Sequence, residues 1–558
     1  MSEQPAQLER INWTGCLPFT HVFRAFKIAR HPWMVVLAMA AMLLTLLWGS
    51  ALDLVWRLSK SRPVVNEVFE FWQQPHLERW RQERRSARLG EINRAYGAIG
   101  RPVPKEIDGK KLADDPDGAV SLALKDLKKG YEEASASEKD DHARAALAAR
   151  YRTAYGRVSS LGTEGVFCGL IRYEASAVRR FVLSAATLDF FAGLGNVMQA
   201  RQIGTSALAG VMPPEGVPLR PDQSQMGALA SLVLMARGAQ WLVTEHPFFA
   251  VLLVLGKLAI WSLFGGAICR MAALNFTRDE HIPLKGALSF ARRKYLGFLL
   301  APLMPIGIIL VIGAVLWVGG FICQLPYLGD LLGGLGMGLA LMGGGAIAIV
   351  LIGFLAGVSL MWPTVAAEGS DAFDAMSRSY SYVLTRPWKA ALYALAASIY
   401  GAICYLFVRL LVWIILRATR AFVGAGMSVW TARPGTGLSQ GSKIDAIWPT
   451  PTFDNLWPGL SPFGYQRGFE WLAMGLTWIW VMLVVLALGG FLVSFYYSAA
   501  TIIYFLLRRD VDHTDLEDVD TEGEEEEEAI HASAGAVAVE GAAAGAGSAA
   551  GSTGETSS

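Results

Sequence analysis

Among the ionisable residues inside runs that are otherwise close to charge-free, three stand out: Asp53, Lys257 and Arg409. A charge in a hydrocarbon environment is costly. Such groups therefore pair, bind a ligand or ion, or stretch their stems to an interface. Asp53 opposite either cation could seal a helix bundle or help bind an anionic lipid headgroup, and Lys257, the deepest of the three, is the leading candidate for a functional role. The usual enzymatic signatures are missing from the sequence. None of the 8 histidines belongs to an HExxH pair, and there is no GxSxG, no Walker loop and no cluster of metal-ligand residues. The 5 cysteines (Cys16, Cys168, Cys269, Cys323, Cys404) form no CxxC and no regular spacing, so neither a disulfide framework nor a zinc site is expected. The expectation is no catalytic, cofactor-binding or metal-binding residue and no cofactor. Without an ATP-binding loop a single-chain primary pump is excluded; a permease paired with a separate ATPase subunit is not.

The elements that must carry these residues are apolar helices. A bilayer core takes about 20 mainly apolar residues, because every backbone amide must be satisfied within the segment. Six stretches qualify: 34–56, 248–274, 296–322, 338–362, 390–416 and 472–495. The last continues as apolar chain through 507, as one long helix or as a span followed by a turn at Gly489-Gly490. The first run is too long for a signal-peptide core of roughly 7–15 residues, so it reads as a retained anchor. Basic residues crowd the N-terminal flank (Arg10, Arg24, Lys27, Arg30), the second-to-third connection (Arg278, Lys285, Arg292, Arg293, Lys294) and the fourth-to-fifth (Arg378, Arg386, Lys389). The third-to-fourth connection has none. By the positive-inside rule both termini face the cytoplasm, although Arg57, Lys60 and Arg62 lie just beyond the first span on the other side. Whole-chain composition agrees: 558 residues are 53% hydrophobic and 17% charged, against roughly 25% charge in soluble domains. With 49 basic and 48 acidic residues the net charge is +1, which removes the basic footprint of a nucleic-acid binder.

Outside the spans, the segment 57–245 reads as a helical extracytoplasmic insert. Its first half is polar, with alternating charge and Ala/Leu over 122–148 and a turn at Asp114-Asp115-Pro116-Asp117-Gly118. Its second half is more apolar, interrupted around Met212-Pro213-Pro214, with amphipathic stretches at 181–194 and 226–243 that should lie on the membrane or pack on the bundle. The 420–468 segment is a Pro/Gly/Ser/Trp-rich outer loop in which Trp430, Trp448 and Trp457 suit an interfacial resting place. From 510 to 558 the chain turns acidic (522–528) and then Ala/Gly/Ser-rich, a composition too poor in apolar side chains to order itself. Asp510-Val511-Asp512 opens like a calcium loop but lacks the required glycine and the closing carboxylate.

Three spans share an entry signature: His31-Pro32-Trp33, His246-Pro247-Phe248 and Arg386-Pro387-Trp388. Proline fits the first helical turn, the aromatic ring suits the headgroup level, and the preceding basic or imidazole group should stay wet. Pro283-Leu284-Lys285-Gly286-Ala287-Leu288 weakly repeats in Ala372-Phe373-Asp374-Ala375-Met376-Ser377, each after one span and before another, which hints at a duplicated unit. Gly334/Gly338 and Gly353/Gly357 are GxxxG pairs suited to close packing in the bundle core, and Pro302 and Pro305 should kink or break the third span.

The stretch Ala366-Ala367-Glu368-Gly369-Ser370-Asp371-Ala372-Phe373-Asp374-Ala375-Met376-Ser377-Arg378-Ser379-Tyr380, with Arg386-Pro387-Trp388 after it, resembles uncharacterised bacterial multi-pass membrane proteins. More distantly it is similar to the membrane domain attached to some glycerophosphodiester phosphodiesterases. The ending Ser498-Ala499-Ala500-Thr501-Ile502-Ile503-Tyr504 before Arg508-Arg509-Asp510 has the same character. The resemblance covers the C-terminal half and implies an acidic-glycine turn and an amphipathic helix on the cytoplasmic face. No phosphodiesterase domain is recognisable, so it implies architecture and no activity.

The sequence therefore predicts an all-α polytopic membrane helix bundle of about six spans, with segments 1–33, 34–56, 57–245, 246–419, 420–468, 469–509 and 510–558, in a bacterial inner membrane. Its partners are expected to be the lipid bilayer and proteins met through the acidic tail or outer insert, with no nucleic acid. The leading functional expectation is a non-enzymatic scaffold or envelope-organising protein; the alternative is a transporter or permease component with a separate energising subunit.

Overall fold

The computed structural model describes residues 17–56, 63–71, 77–104, 106–107, 110–111, 118–137, 141–193, 226–325, 328–428, 448, 450–453, 455–457, 470–516 and 519. The expected features at Arg10, Arg57, Lys60, Arg62, 114–117, 212–218, Trp430 and 520–558 lie outside the described residues. The architecture is all-α. Its extended features among the described residues are a two-residue antiparallel pair, Glu106–Ile107 against Lys110–Lys111, and a single antiparallel bridge between Val64 and Thr163.

Six helices are long and apolar enough to cross a bilayer, the mark of a multi-pass membrane protein. They belong to α2 (Pro32–Trp56), α9 (Pro247–Arg278), α12 (Leu303–Ile322), α13 (Leu328–Glu368), α15 (Pro387–Ser428) and α16 (Glu470–Asp512). The prolines of the repeated signature are the first residues of α2, α9 and α15, where the missing N–H costs no hydrogen bond. The aromatic residues after them, Trp33, Phe248 and Trp388, are all exposed. His246, expected to stay wet, is instead buried against Trp241, with ring centroids 5.1 Å apart. At Pro302 the third span breaks as its sequence suggests: a short α11 (Tyr295–Leu300) ends and α12 begins at Leu303. No break occurs at Gly489-Gly490, because α16 runs unbroken for 43 residues. At about 1.5 Å rise per residue, α13, α15 and α16 are each far longer than a bilayer core and must extend beyond it.

The chain divides into two compact units. One comprises residues up to Arg24, Ser262–Ala391 and the chain from Tyr497. Within it α13 packs against α12 and against the amphipathic α14 (Ala372–Thr385), and α10 (Leu284–Arg293) occupies the equivalent place after α9. Three spans leave through a left-handed residue: Asp279 (φ 56°) after α9, Gly369 (φ 61°) after α13 and His513 (φ 57°) after α16. Gly353 and Gly357 receive Tyr380 of α14, whose hydroxyl donates to Val350 O at 2.9 Å. Gly334 and Gly338, expected in a close-packed core, meet nothing: a methyl group added at either would enter open space. In α12 and α13 only 6% of the most apolar window is buried within the chain, so these two helices present apolar side chains outward nearly all round.

The other unit comprises Ala25–Trp261 and Leu392–Tyr496. It holds the long insert in two parts. α4 (Leu77–Ala98), α5 (Ala119–Ser137) and α6 (Asp141–Ser159) bury Ile92, Tyr96, Ala123, Leu127, Tyr151 and Val158 in a core of their own. α7 (Val166–Ala186) and α8 (Ala228–Glu245) pair with each other and share a second core with spans α2 and α9, through Leu52, Phe167, Tyr173, Leu234, Trp241, Phe249 and Leu253. The amphipathic stretches of the insert thus pack on spans, although the first stops at Ala186 instead of reaching 194, with Leu188 at φ 60° closing the turn. Trp448 is buried with Val412, Leu416, Val481 and Leu488 instead of lying at an interface, whereas Trp457 is half exposed.

Candidate functional site

Asp53 lies one turn before the end of α2, and its carboxylate accepts the backbone N–H groups of Phe167 at 2.9 Å and Cys168 at 3.0 Å. These are among the four amides that an α-helix leaves unpaired at its start. Gly165, the residue before α7, leaves room for the approach: a methyl group there would collide with the Asp53 carboxylate. Asp53 is therefore an N-cap supplied from another helix, fixing the insert to the first span.

Arg409, on α15, is 8% exposed and donates twice to the carbonyl of Phe453, at 2.8 and 3.1 Å. It also donates to Tyr405 Oη at 3.2 Å, and its guanidinium lies 5.2 Å from the Phe453 ring centroid. The planar donor fork is well matched to a carbonyl at a loop edge. Arg420, three turns on, donates to Trp448 O at 3.1 Å, so α15 holds the loop that follows it at two points.

Lys257 is exposed on α9, within the second span. It and Asp53 form no ion pair; the carboxylate in its electrostatic reach is Glu174 of α7. Glu174 rests where α7 meets α8 at Gly238, whose lack of a side chain makes the space. Burial pushes the Glu174 carboxyl up to about 7, and the Lys257 ammonium pulls the other way. Sequence reading passed over Glu174 because it sits in an ordinary amphipathic segment, with no spacing that connects it to α9.

A second polar cluster, in the unit that contains α13 and α14, was also missed. Glu368, the last residue of α13, is paired with Arg378 of α14 at 2.8 Å and Arg508 of α16 at 3.3 Å, and accepts the hydroxyl of Tyr504. Around it Tyr382 donates to Asp512 at 2.5 Å, Lys389 pairs with Asp510 at 3.0 Å, and Lys294 donates to Gly369 O at 2.6 Å. The two aspartates of the false calcium loop are thus occupied by protein partners. Arg270, 1% exposed, donates to Ala366 O at 3.0 Å and lies 4.3 Å from the Phe290 centroid. The signal for it was present in the sequence: Arg270 is an ionisable residue inside the second apolar run. The group ties the ends of α9, α13 and α16 and the start of α15 to one side.

In the insert, Glu67 is fully buried and receives Arg81 Nε at 3.1 Å, the amide of Val64 at 3.0 Å and Trp241 Nε1 at 3.3 Å. Arg81 bridges on to Glu245 at 2.8 Å. Among the described residues no group of three His, Cys, Asp or Glu has the arrangement to hold a metal ion. The chain matches no family model, no curated protein and no solved structure.

Proposed function

We propose that this protein is a non-enzymatic scaffold of a bacterial inner membrane, with both termini cytoplasmic and the insert on the outer side as a fixed helical platform. The observation that carries the reading is the use made of the charges at the spans. Asp53 caps α7, and Arg409 and Arg420 clamp the loop after α15, so these groups hold elements in place. The shared core of α2, α7, α8 and α9 does the same with apolar surface. The sidedness is supported by contacts within one unit. His21 and Arg24, before the first span, lie against Phe276 at the end of α9, and the ends of α13 and α16 meet the start of α15. Protein partners would meet the α4–α6 bundle or the acidic tail. The likeness to membrane domains of phosphodiesterases adds architecture to this reading and no chemistry.

The second reading, a transporter component, is favoured by one observation: a carboxyl pushed up to about 7 beside Lys257 has the make-up of a proton-carrying pair. Complementation of a deletion strain separates the two. A scaffold restores envelope integrity when it carries Lys257→Ala and fails when residues 77–159 are removed. A chain whose envelope function is lost with Lys257→Ala while it still folds and inserts would overturn the scaffold in favour of transport.

A further inference from the structure

Where the third span breaks, a groove of about 390 Å³ runs along the start of α12. Leu300, Leu303, Met304, Gly307, Ile308 and Val311 line it, so its side chains are all apolar. Pro302 interrupts the helix between Leu300 and Leu303, and Gly307 leaves a notch one turn into α12, where a methyl group would meet nothing. Because α12 buries little of itself within the chain, the groove opens to the surroundings of the span, which in a bilayer are acyl chains. The second observation is charge, in the same unit and just before the groove. From Leu284 to Ile322 the chain carries Lys285, Arg292, Arg293 and Lys294 and no acidic residue. Lys294 is committed to Gly369 O. Lys285 and Arg292, seven residues apart, share one face of α10 and are exposed. The other face fixes the helix: Ala287, Phe290 and Ala291 are buried, and the Arg270 guanidinium lies 4.3 Å from the Phe290 ring centroid.

We propose that the groove and the basic face of α10 together bind one anionic phospholipid of the bilayer. Its phosphate lies with Lys285 and Arg292, and an acyl chain runs along Leu303, Gly307 and Val311. The spacing suits such a molecule. At about 1.5 Å rise per residue, the stretch from Arg292 to Leu300 spans about 12 Å. The headgroup layer of a bilayer is about 5–8 Å deep on each side, so a phosphate held at Arg292 brings acyl carbons to Leu300 and beyond. Basic residues beside a span are the usual means of holding an anionic headgroup. The site goes beyond the scaffold reading and does not depend on it. Both of its parts lie at one end of one span, so it holds for either orientation of the chain.

Full-length protein is stripped of lipid in a neutral detergent and titrated with phosphatidylglycerol or with phosphatidylcholine of the same acyl chains. Bound lipid is counted by native mass spectrometry. One phosphatidylglycerol per chain should bind more tightly than any phosphatidylcholine. Lys285→Gln combined with Arg292→Gln should weaken that lipid about thirtyfold, at about fivefold for each basic residue, and leave phosphatidylcholine unchanged. Gly307→Leu fills the notch from a position with open space around it. It should weaken both lipids while thermal unfolding in lipid-free detergent stays that of the parent. Phosphatidylglycerol that binds no more tightly than phosphatidylcholine, or that keeps its parental affinity in either variant, would refute the site.

Discussion

At the residue scale, the polar groups near the spans divide by whether their partner is a backbone group or another charge. Asp53 meets backbone amides, so Asp53→Ala leaves the amides of Phe167 and Cys168 unpaired. It should lower stability by about 1–2 kcal/mol, read by thermal unfolding in detergent, with Asp53→Asn losing less. Glu174 behaves differently because its carboxyl is raised to about 7 from the ordinary 4.5. The folded state then binds the extra proton, so the stability linked to Glu174 is full below the unfolded value and is lost as pH rises toward about 7. Glu174→Gln, which keeps the neutral form, should leave unfolding near pH 5 unchanged and stabilise the protein at pH 8, by about 2 kcal/mol after allowance for partial exposure. A variant that unfolds at a lower temperature than the parent at pH 8 would contradict this. Neither partner set was legible in the sequence. Asp53 stood out by its apolar neighbours, but the amides it caps belong to a helix more than a hundred residues away, and Glu174 had no local mark at all.

At the element scale the two GxxxG pairs of α13 look alike in sequence and differ in use. Gly353 and Gly357 receive the Tyr380 ring, whereas Gly334 and Gly338 face open space. Gly353→Leu should therefore displace Tyr380 and cost about 1–3 kcal/mol by overpacking, while Gly334→Leu should be close to neutral in the isolated chain; paired thermal melts check both. The glycines at the middle of α16 follow the same logic. A methyl group at Gly490 would stand 2.9 Å from Met39 Cγ and from Val35 O of α2, so the pair that suggested a turn is a packing notch in an unbroken helix. In α15, Arg409→Leu would leave the Phe453 carbonyl without its two donors. Faster proteolysis after residue 450, with the spans still folded, is the expected result.

At the scale of the whole molecule, the parity of the spans makes a prediction about faces. On the topology proposed above, Cys168 in the insert and Cys323 between α12 and α13 fall on the outer side, and both are exposed. A membrane-impermeant thiol reagent added to intact spheroplasts should label both, while protease added outside should leave the C-terminal tail uncut. Protected thiols together with a digested tail would invert the topology.

The sequence by itself determined that this chain is a set of long apolar helices, three of them entered through proline, with one span broken at Pro302 and a helical insert between the first two. Apolar length, helix-entry chemistry and proline geometry are local properties, and a bilayer makes them decisive because backbone amides in it must be satisfied nearby. Tertiary structure alone decided what each polar group meets: Asp53 the start of α7, Arg409 the Phe453 carbonyl, and Glu368 the side chains of Arg378, Arg508 and Tyr504. It also decided that Trp448 and His246 are buried and that Gly334 packs against nothing. Those outcomes depend on which distant helices come together, and a polar side chain carries in its own type and spacing no record of the partner that packing will bring to it.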